Sequence, residues 1–121
     1  MTSQGIESFL SFLRDAEQRY HMAEADEQEA SDETQDILHE IELQNHDYHE
    51  FDRLAKELKV IRQKRRDAKD TMSETLPVLE WMDLNRPVIK GIERLLGNVR
   101  KVEKNTENGI YTPKSRRETA Q

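Results

Sequence analysis

Two apolar seams with helical spacing, separated by one short polar break, constrain this chain more than any other feature. In the first seam, residues recur every three or four positions from Ile6 to Ile41, and in the second from Phe51 to Met82. Such spacing places the members of a seam on one side of an α-helix. If the chain folds back at the break, residues 44–47, the two seams meet layer by layer. The sequence therefore predicts a long antiparallel helical hairpin.

One layer of the predicted register differs from the others, because Glu27 faces Arg65 where apolar residues would stabilise more. A single polar layer that fixes register is well attested, so we interpret this pair as a structural polar layer. The ten predicted layers are Ile41 with Phe51, Ile37 with Leu54, Thr34 with Leu58, Ala30 with Ile61, Glu27 with Arg65, Ala23 with Ala68, Tyr20 with Met72, Ala16 with Thr75, Leu13 with Leu79 and Phe9 with Met82.

Start and stop signals place helices at about residues 4–44, 48–83 and 86–103, in a single domain, residues 1–104, with a tail at 105–121. Ser3 is predicted to cap the first helix, and Asp47 with Glu50 to form a capping box for the second. Pro77 leaves the phase of the seam unchanged, so we expect a kink near Ser73 instead of a helix end.

A third, shorter helix is predicted to open at Asn85 and to pack at the open end of the hairpin as a local three-helix bundle. Its apolar positions are Val88, Ile92, Leu95, Val99 and Val102, and the residues left for it to cover are Leu10, Phe12, Leu76, Val78 and Trp81. The predicted fold is all-α: a coiled-coil-like hairpin with a third helix at its open end and a mobile C-terminal tail.

Composition agrees with long, thin helices, since 34% of the residues are hydrophobic and 36% are charged. The chain has no cysteine, which suits a reducing compartment. It also has no apolar run of about 18 residues and no signal-peptide pattern. The sequence therefore predicts a cytoplasmic protein that does not associate with a membrane.

Charge is divided between the two long helices. No Lys or Arg lies between Arg19 and Arg53, whereas residues 53–69 are rich in both. The antiparallel register sets the two blocks side by side, and we interpret them as flanking charges that favour this register. The acidic block consists of Glu24, Asp26, Glu27, Glu29, Asp32, Glu33, Asp36, Glu40, Glu42, Asp47, Glu50 and Asp52, and the basic block of Arg53, Lys56, Lys59, Arg62, Lys64, Arg65, Arg66 and Lys69.

Two arrangements of polar residues have the spacing of metal sites. Asp36 and His39 lie among further histidines near the break, but a di-iron site needs a second such pair and this chain has none. The pairs Glu24-x-x-Glu27 and Asp67-x-x-Asp70 resemble the acidic motifs of all-α, Mg-dependent nucleotide pyrophosphohydrolases of the MazG kind. The second pair departs from that motif, and Arg65 and Arg66 lie where the metal belongs. No metal site is predicted, and the enzyme is kept as an alternative.

The basic run at residues 62–66 suggests an anionic ligand, but a net charge of −6 argues against nucleic acid. A small anionic nucleotide held by Arg62, Arg66 and Lys69 across an oligomer, as in a nucleotide sponge, is a second alternative. Neither a glycine-rich phosphate loop nor a catalytic Ser/His/Asp set has recognisable spacing here.

Segments 36–40, 61–70 and 96–101, followed by Tyr111-Thr112-Pro113, resemble small uncharacterised proteins carried by phages and prophages of Gram-positive bacteria. The resemblance covers residues 33–113 and supplies no catalytic residues. It implies a small accessory factor that acts in the host cytoplasm by binding a host or phage protein, including a possible anti-defence role.

We therefore predict a non-enzymatic protein-interaction module that modulates or inhibits a protein partner, with no catalytic residues and no cofactor. A homo-oligomer, with a dimer favoured, is expected through Leu38, Leu43 and Val60, which have no intramolecular cover in the predicted hairpin. The predicted partner-binding residues are Asp32, Glu33, Asp36, Glu40, Arg62, Arg66 and Tyr111.

Overall fold

The computed structural model describes residues 1–43 and 47–107, which form three α-helices. Helix α1 spans Thr2–Leu43, α2 spans Tyr48–Leu84 and α3 spans Arg86–Glu107. Helices α1 and α2 form a long antiparallel hairpin, and α3 packs as a shorter third helix, so the predicted fold class is confirmed. Helix α3 continues four residues past its predicted end at 103, and the predicted tail beyond Glu107 lies outside the described residues.

The chain divides into two compact units. The hairpin unit is Leu13–Trp81, where α1 pairs with α2. The terminal unit combines Met1–Phe12 with the chain from Met82 onward, and therefore contains α3. The expectation of a single domain stays a prediction. In the described part of the chain, no helix combines the length and the apolar character needed to cross a membrane.

The core of the hairpin unit is the predicted seam, which is narrow and rich in alanine. Small side chains allow two helices to approach closely, and their burial supplies little apolar area. The exposed Phe51 departs from the prediction, because its layer ends the seam beside the turn. The buried residues of this unit are Leu13, Ala16, Ala23, Ala30 and Ile37 on α1, and Leu54, Ala68 and Thr75 on α2.

An ion pair lies at the predicted polar layer. The Nε atom of Arg65 lies 2.8 Å from Oε2 of Glu27, and both side chains are partly buried, at 39% and 23% exposure. Lys64, next along α2, donates to Glu29 at 2.8 Å. These contacts between helices place α1 and α2 in the predicted register.

Helix α2 begins where the capping prediction put it. The Asp47 carboxylate accepts a hydrogen bond from the Glu50 amide at 2.9 Å, and the Asp47 carbonyl accepts the first helical bond, from the Phe51 amide, at 3.1 Å. Asp47 is therefore the N-cap of α2. In the same way, the Asn85 carbonyl accepts from the Ile89 amide at 3.0 Å, which makes Asn85 the N-cap of α3.

The prediction that Ser3 caps α1 is wrong, because the helix already begins at Thr2. The Ser3 amide instead donates to the Glu103 carboxylate of α3 at 3.0 Å. A first-turn amide has no partner within its own helix, and the N-terminal end of a helix favours a negative charge. Hydrogen bonds from the hydroxyl and the amide of Ser3 hold the pKa of Glu103 below its ordinary value of 4.5.

The inward face of α3 is rotated from the predicted one but overlaps it. Ile89 and Leu96 are buried and the predicted Ile92 and Val99 are half-buried, while the predicted Val88, Leu95 and Val102 are exposed. Contacts with the start of α1 account for this orientation. The Glu103 bond to Ser3 and an ion pair between Arg100 and Glu7 hold one side of α3 against α1. Of the predicted seam residues in this unit, Phe9 is exposed and its neighbour Leu10 is buried instead.

Helix α2 continues through Pro77 without ending, as predicted. The buried Thr75 hydroxyl donates to the Thr71 carbonyl at 2.8 Å, so this polar group is satisfied within its own helix. The kink expected near Ser73 stays a prediction. Of the residues expected to be covered at this end, Leu10 is buried and Val78 is half-buried, while Phe12, Leu76 and Trp81 are exposed, contrary to the prediction.

Replacing Glu27 with leucine should lower the free energy of unfolding by about 1 kcal/mol, because the Arg65 guanidinium then loses its partner at a partly buried position. A urea melt followed by circular dichroism measures this change. Glu24→Leu is the matched control, since Glu24 lies on α1 and is exposed. Equal stability of the Glu27→Leu variant and the wild type would contradict the pairing.

Glu103→Gln should destabilise the protein at pH 7, and this effect should vanish in acid. A lowered pKa in the folded state stabilises above the ordinary value of 4.5, and this stabilisation is lost as the pH falls through the folded-state pKa. Thermal melts of both proteins at several pH values measure the difference. Glu93→Gln, on an exposed position of α3, is the control. A difference that persists unchanged in acid would show that the Glu103 charge is not the cause.

Candidate functional site

The cations of the basic block separate into two groups according to their contacts. Four of them form ion pairs with carboxylates, which neutralise their charge within the protein. These pairs are Arg53 with Glu57 at 3.0 Å, Lys56 with Asp52 at 3.0 Å, Lys64 with Glu29 at 2.8 Å and Arg65 with Glu27 at 2.8 Å. Two of these pairs link α2 to α1, as the interpretation of the charge blocks requires.

The other four cations form what we call the basic stripe: Lys59, Arg62, Arg66 and Lys69. All four are exposed, and within residues 1–43 and 47–107 none of them has a carboxylate at ion-pair distance. Arg66 donates to the Gln63 side-chain amide oxygen at 3.2 Å, which leaves its charge uncompensated. The basic stripe therefore holds four positive charges that the fold does not neutralise.

The geometry of the basic stripe follows from its spacing. Residues three, four and three positions apart lie on one side of an α-helix, and ten residues of helix span about 15 Å. A shallow groove of about 310 Å³ runs beside the stripe, lined by Ala55, Leu58, Lys59, Arg62, Gln63 and Arg66. Guanidinium groups bind carboxylate and phosphate oxygens in a bidentate geometry. The stripe can thus bind a row of anionic groups beside a small apolar surface.

The Lys64–Glu29 pair shows why the paired cations bind an external anion less readily than the basic stripe does. The hydrogen bond and the charge of Glu29 raise the pKa of Lys64, and the same contact with Lys64 lowers the pKa of Glu29. Both groups are therefore charged at neutral pH and bonded to each other. An external anion would have to compete with Glu29 for Lys64.

The predicted acidic contact residues are on α1, whereas Arg62 and Arg66 are on α2. Asp32 and Asp36 are exposed, and Asp32 accepts a hydrogen bond from the Gln28 amide at 3.0 Å. Glu33 and Glu40 are half-buried. In the antiparallel register, Asp32 and Glu33 lie level with Lys59 at one end of the basic stripe, whereas Asp36 and Glu40 lie beyond that end. Their role in partner binding stays a prediction, and Tyr111 lies outside the described residues.

The residues that suggested metal chemistry do not gather in the described structure. Glu27, a member of the proposed acidic motif, is bonded to Arg65. Across residues 1–43 and 47–107, no group of three or more His, Asp or Glu side chains could hold one ion. His49 is exposed and its ring contacts Tyr48 edge-on, while His46 lies outside the described residues. The pyrophosphohydrolase alternative stays untested and gains no support from this geometry.

Sequence reasoning found two members of the basic stripe as contact residues and missed Lys59 and Lys69 in that role. The signal was available. Carboxylates three or four positions away neutralise Arg53 and Lys56, as such pairs commonly do on helices. Lys59, Arg62 and Lys69 have no Asp or Glu at any of these positions. Within the basic block, a search for cations without such neighbours would have selected these three together with Arg65, whose partner Glu27 lies on the other helix.

Comparisons with models of protein families, with curated proteins and with solved structures found no match. The resemblance to small phage proteins therefore stays a prediction.

Proposed function

We propose that this protein is a non-enzymatic interaction module, and that its basic stripe binds an acidic surface of a partner protein whose activity it modulates or inhibits. The observation that carries the proposal is the contrast within α2: four cations are neutralised by the fold, and Lys59, Arg62, Arg66 and Lys69 are not. In keeping with the phage resemblance, the partner is a host or phage protein, including a component of host defence.

The shape of the basic stripe favours a protein partner over a small ligand. The stripe lies along a single helix, and the groove beside it is open. A nucleotide site usually encloses its ligand in a cleft that surrounds it from several sides. A row of charges about 15 Å long instead matches a row of carboxylates on a helix or strand of a partner.

The overall charge favours a protein partner over nucleic acid. The net charge is −6, and the twelve carboxylates between Arg19 and Arg53 lie on or close before the helices of the same hairpin. A nucleic acid backbone would bring many phosphates near these carboxylates, and this repulsion would oppose the attraction to the stripe. A partner with a limited acidic patch avoids that repulsion.

Charge reversal on the stripe should abolish partner capture. The full chain, immobilised and incubated with lysate of a Gram-positive bacterium, should retain a protein that mass spectrometry identifies. The double variant Arg62→Glu/Arg66→Glu should retain it at least about 10-fold less, since each substitution replaces attraction by repulsion. Raising the salt concentration should also weaken retention by the wild type.

Lys90→Glu/Arg94→Glu is the matched control, because it makes the same charge change at two exposed cations with the same spacing on α3. Circular dichroism verifies that both double variants are helical. Equal retention by the wild type and the Arg62→Glu/Arg66→Glu variant would overturn the proposal. A nucleotide found by native mass spectrometry on the wild type but not on the Arg62→Glu/Arg66→Glu variant would also overturn it. Hydrolysis of a nucleotide by the wild type in the presence of Mg²⁺ would overturn it as well.

A further inference from the structure

A second surface of the hairpin unit lies on the side of α2 away from the basic stripe. Two grooves, of about 560 and 570 Å³, meet there at Val60, which lines both. Val60 and Arg62 are two residues apart, so they point about 160° apart around the helix. We call this surface, which runs from Arg19 and Met22 past Val60 to His49, the Val60 groove.

The Val60 groove exposes apolar side chains over a floor of alanine. Val60 is 69% exposed and Met22 is 60% exposed, while Ala23 and Ala68 beneath them are buried. Helices with small residues in their seam leave a flat channel in which another helix can lie. Exposed apolar groups in such a channel mark a contact surface.

One buried polar atom on this surface has no hydrogen-bond donor among the described residues. The Oε1 atom of Glu33 is buried, and no donor among the described residues bonds to it. Glu33 lines the groove together with Arg53, Lys56 and Val60. A buried carboxylate oxygen without a donor is costly, so this atom points to a donor that comes from outside the chain.

The area of the surface matches a stable dimer. From Arg19 to Ile41 the hairpin runs for about 33 Å, and two helices side by side are about 20 Å wide. A second copy covering this face would bury roughly 650 Å² on each chain and about 1,300 Å² in total, which falls in the range of specific interfaces.

Charge selects how a second copy would lie. Between Arg19 and the turn, α1 has carboxylates and no Lys or Arg, so contact of α1 with α1 of another copy would set like charges together. On the α2 side of the groove, Arg53, Lys56 and Lys64 are matched in number by Asp52, Glu57 and Asp67, so this side carries no net charge. The repulsion between the α1 helices is avoided only if α1 of each copy faces α2 of the other, which requires a two-fold axis along the hairpin.

We propose that a second copy of this chain docks on the Val60 groove in this orientation and forms a four-helix bundle from two hairpin units. In this arrangement Glu33 lies about one helical turn from the level of Lys56 in the second copy, which can then donate to the buried oxygen. The dimer leaves the basic stripe accessible, so it adds to the proposed function without depending on it. Leu38 lies about 140° around α1 from Glu33, outside this contact.

Light scattering after size-exclusion chromatography tests the dimer. The full-length wild type should have twice the chain mass at high concentration, and Val60→Glu should weaken association at least about 100-fold, because it buries a carboxylate against the apolar surface. Ala55→Glu, an exposed position on the other side of the same helix, should leave the mass at twice that of the chain. A monomeric wild type, or a Val60→Glu variant that associates as the wild type does, would overturn the proposal.

Single cysteines test the orientation, since the chain has none of its own. With the axis along the hairpin, the two Met22 positions are at the same level, and Met22→Cys should be joined efficiently by a short bismaleimide. In an antiparallel dimer centred on Val60 these positions would be about 30 Å apart. Glu24→Cys is the control, because Glu24 is exposed and lies two residues from Met22, about 160° away around α1. Failure of Met22→Cys to cross-link above the Glu24→Cys background would overturn the orientation.

Discussion

The register of the hairpin depends on the ion pair between Glu27 and Arg65, which lies among alanines in a seam one layer thick. Alanine layers differ little in shape, so packing alone distinguishes poorly between neighbouring registers. A slip of one layer would set Glu27 against Ile61 or Ala68 and leave both charges partly buried without partners. That penalty exceeds what the pair itself contributes. The ion pair thus selects the register mainly because any other register would leave these two charges partly buried and unpaired.

The sequence predicted the hairpin because its evidence is local. Seam periodicity and the cap at Asp47 depend on residues within one or two turns of each other, and the structure confirms both. The Ser3–Glu103 contact joins residues 100 positions apart and left no local signal. The face of α3 was partly mispredicted for a related reason. Val88 and Ile89 begin two overlapping apolar stripes with the same spacing, and only contact with α1 decides which one is buried.

The candidate site was partly predictable, because contacts within one helix follow from local residue spacing. Arg62, Arg66 and Lys69 stood out as cations that could hold an anionic ligand, whereas Lys59 becomes significant only when the paired cations are set aside. Partner choice within a helix follows from spacing and could have been predicted. The pairing of Lys64 with Glu29 required the register, and the buried oxygen of Glu33 required the tertiary structure. Sequence periodicity gives directions around a helix but not the depth of an atom beneath its neighbours.

The basic stripe is also a local electrostatic cost that the fold does not relieve. Like charges three or four positions apart destabilise a helix by a few tenths of a kcal/mol for each pair, and Lys59, Arg62, Arg66 and Lys69 form three such neighbours in succession. The seam requires none of these charges, since Arg65 alone supplies the cation of the polar layer. An anionic partner would convert the repulsion into attraction. In a dimer through Val60, the two stripes would lie on opposite outer faces of the bundle, so each would be accessible to a partner of its own.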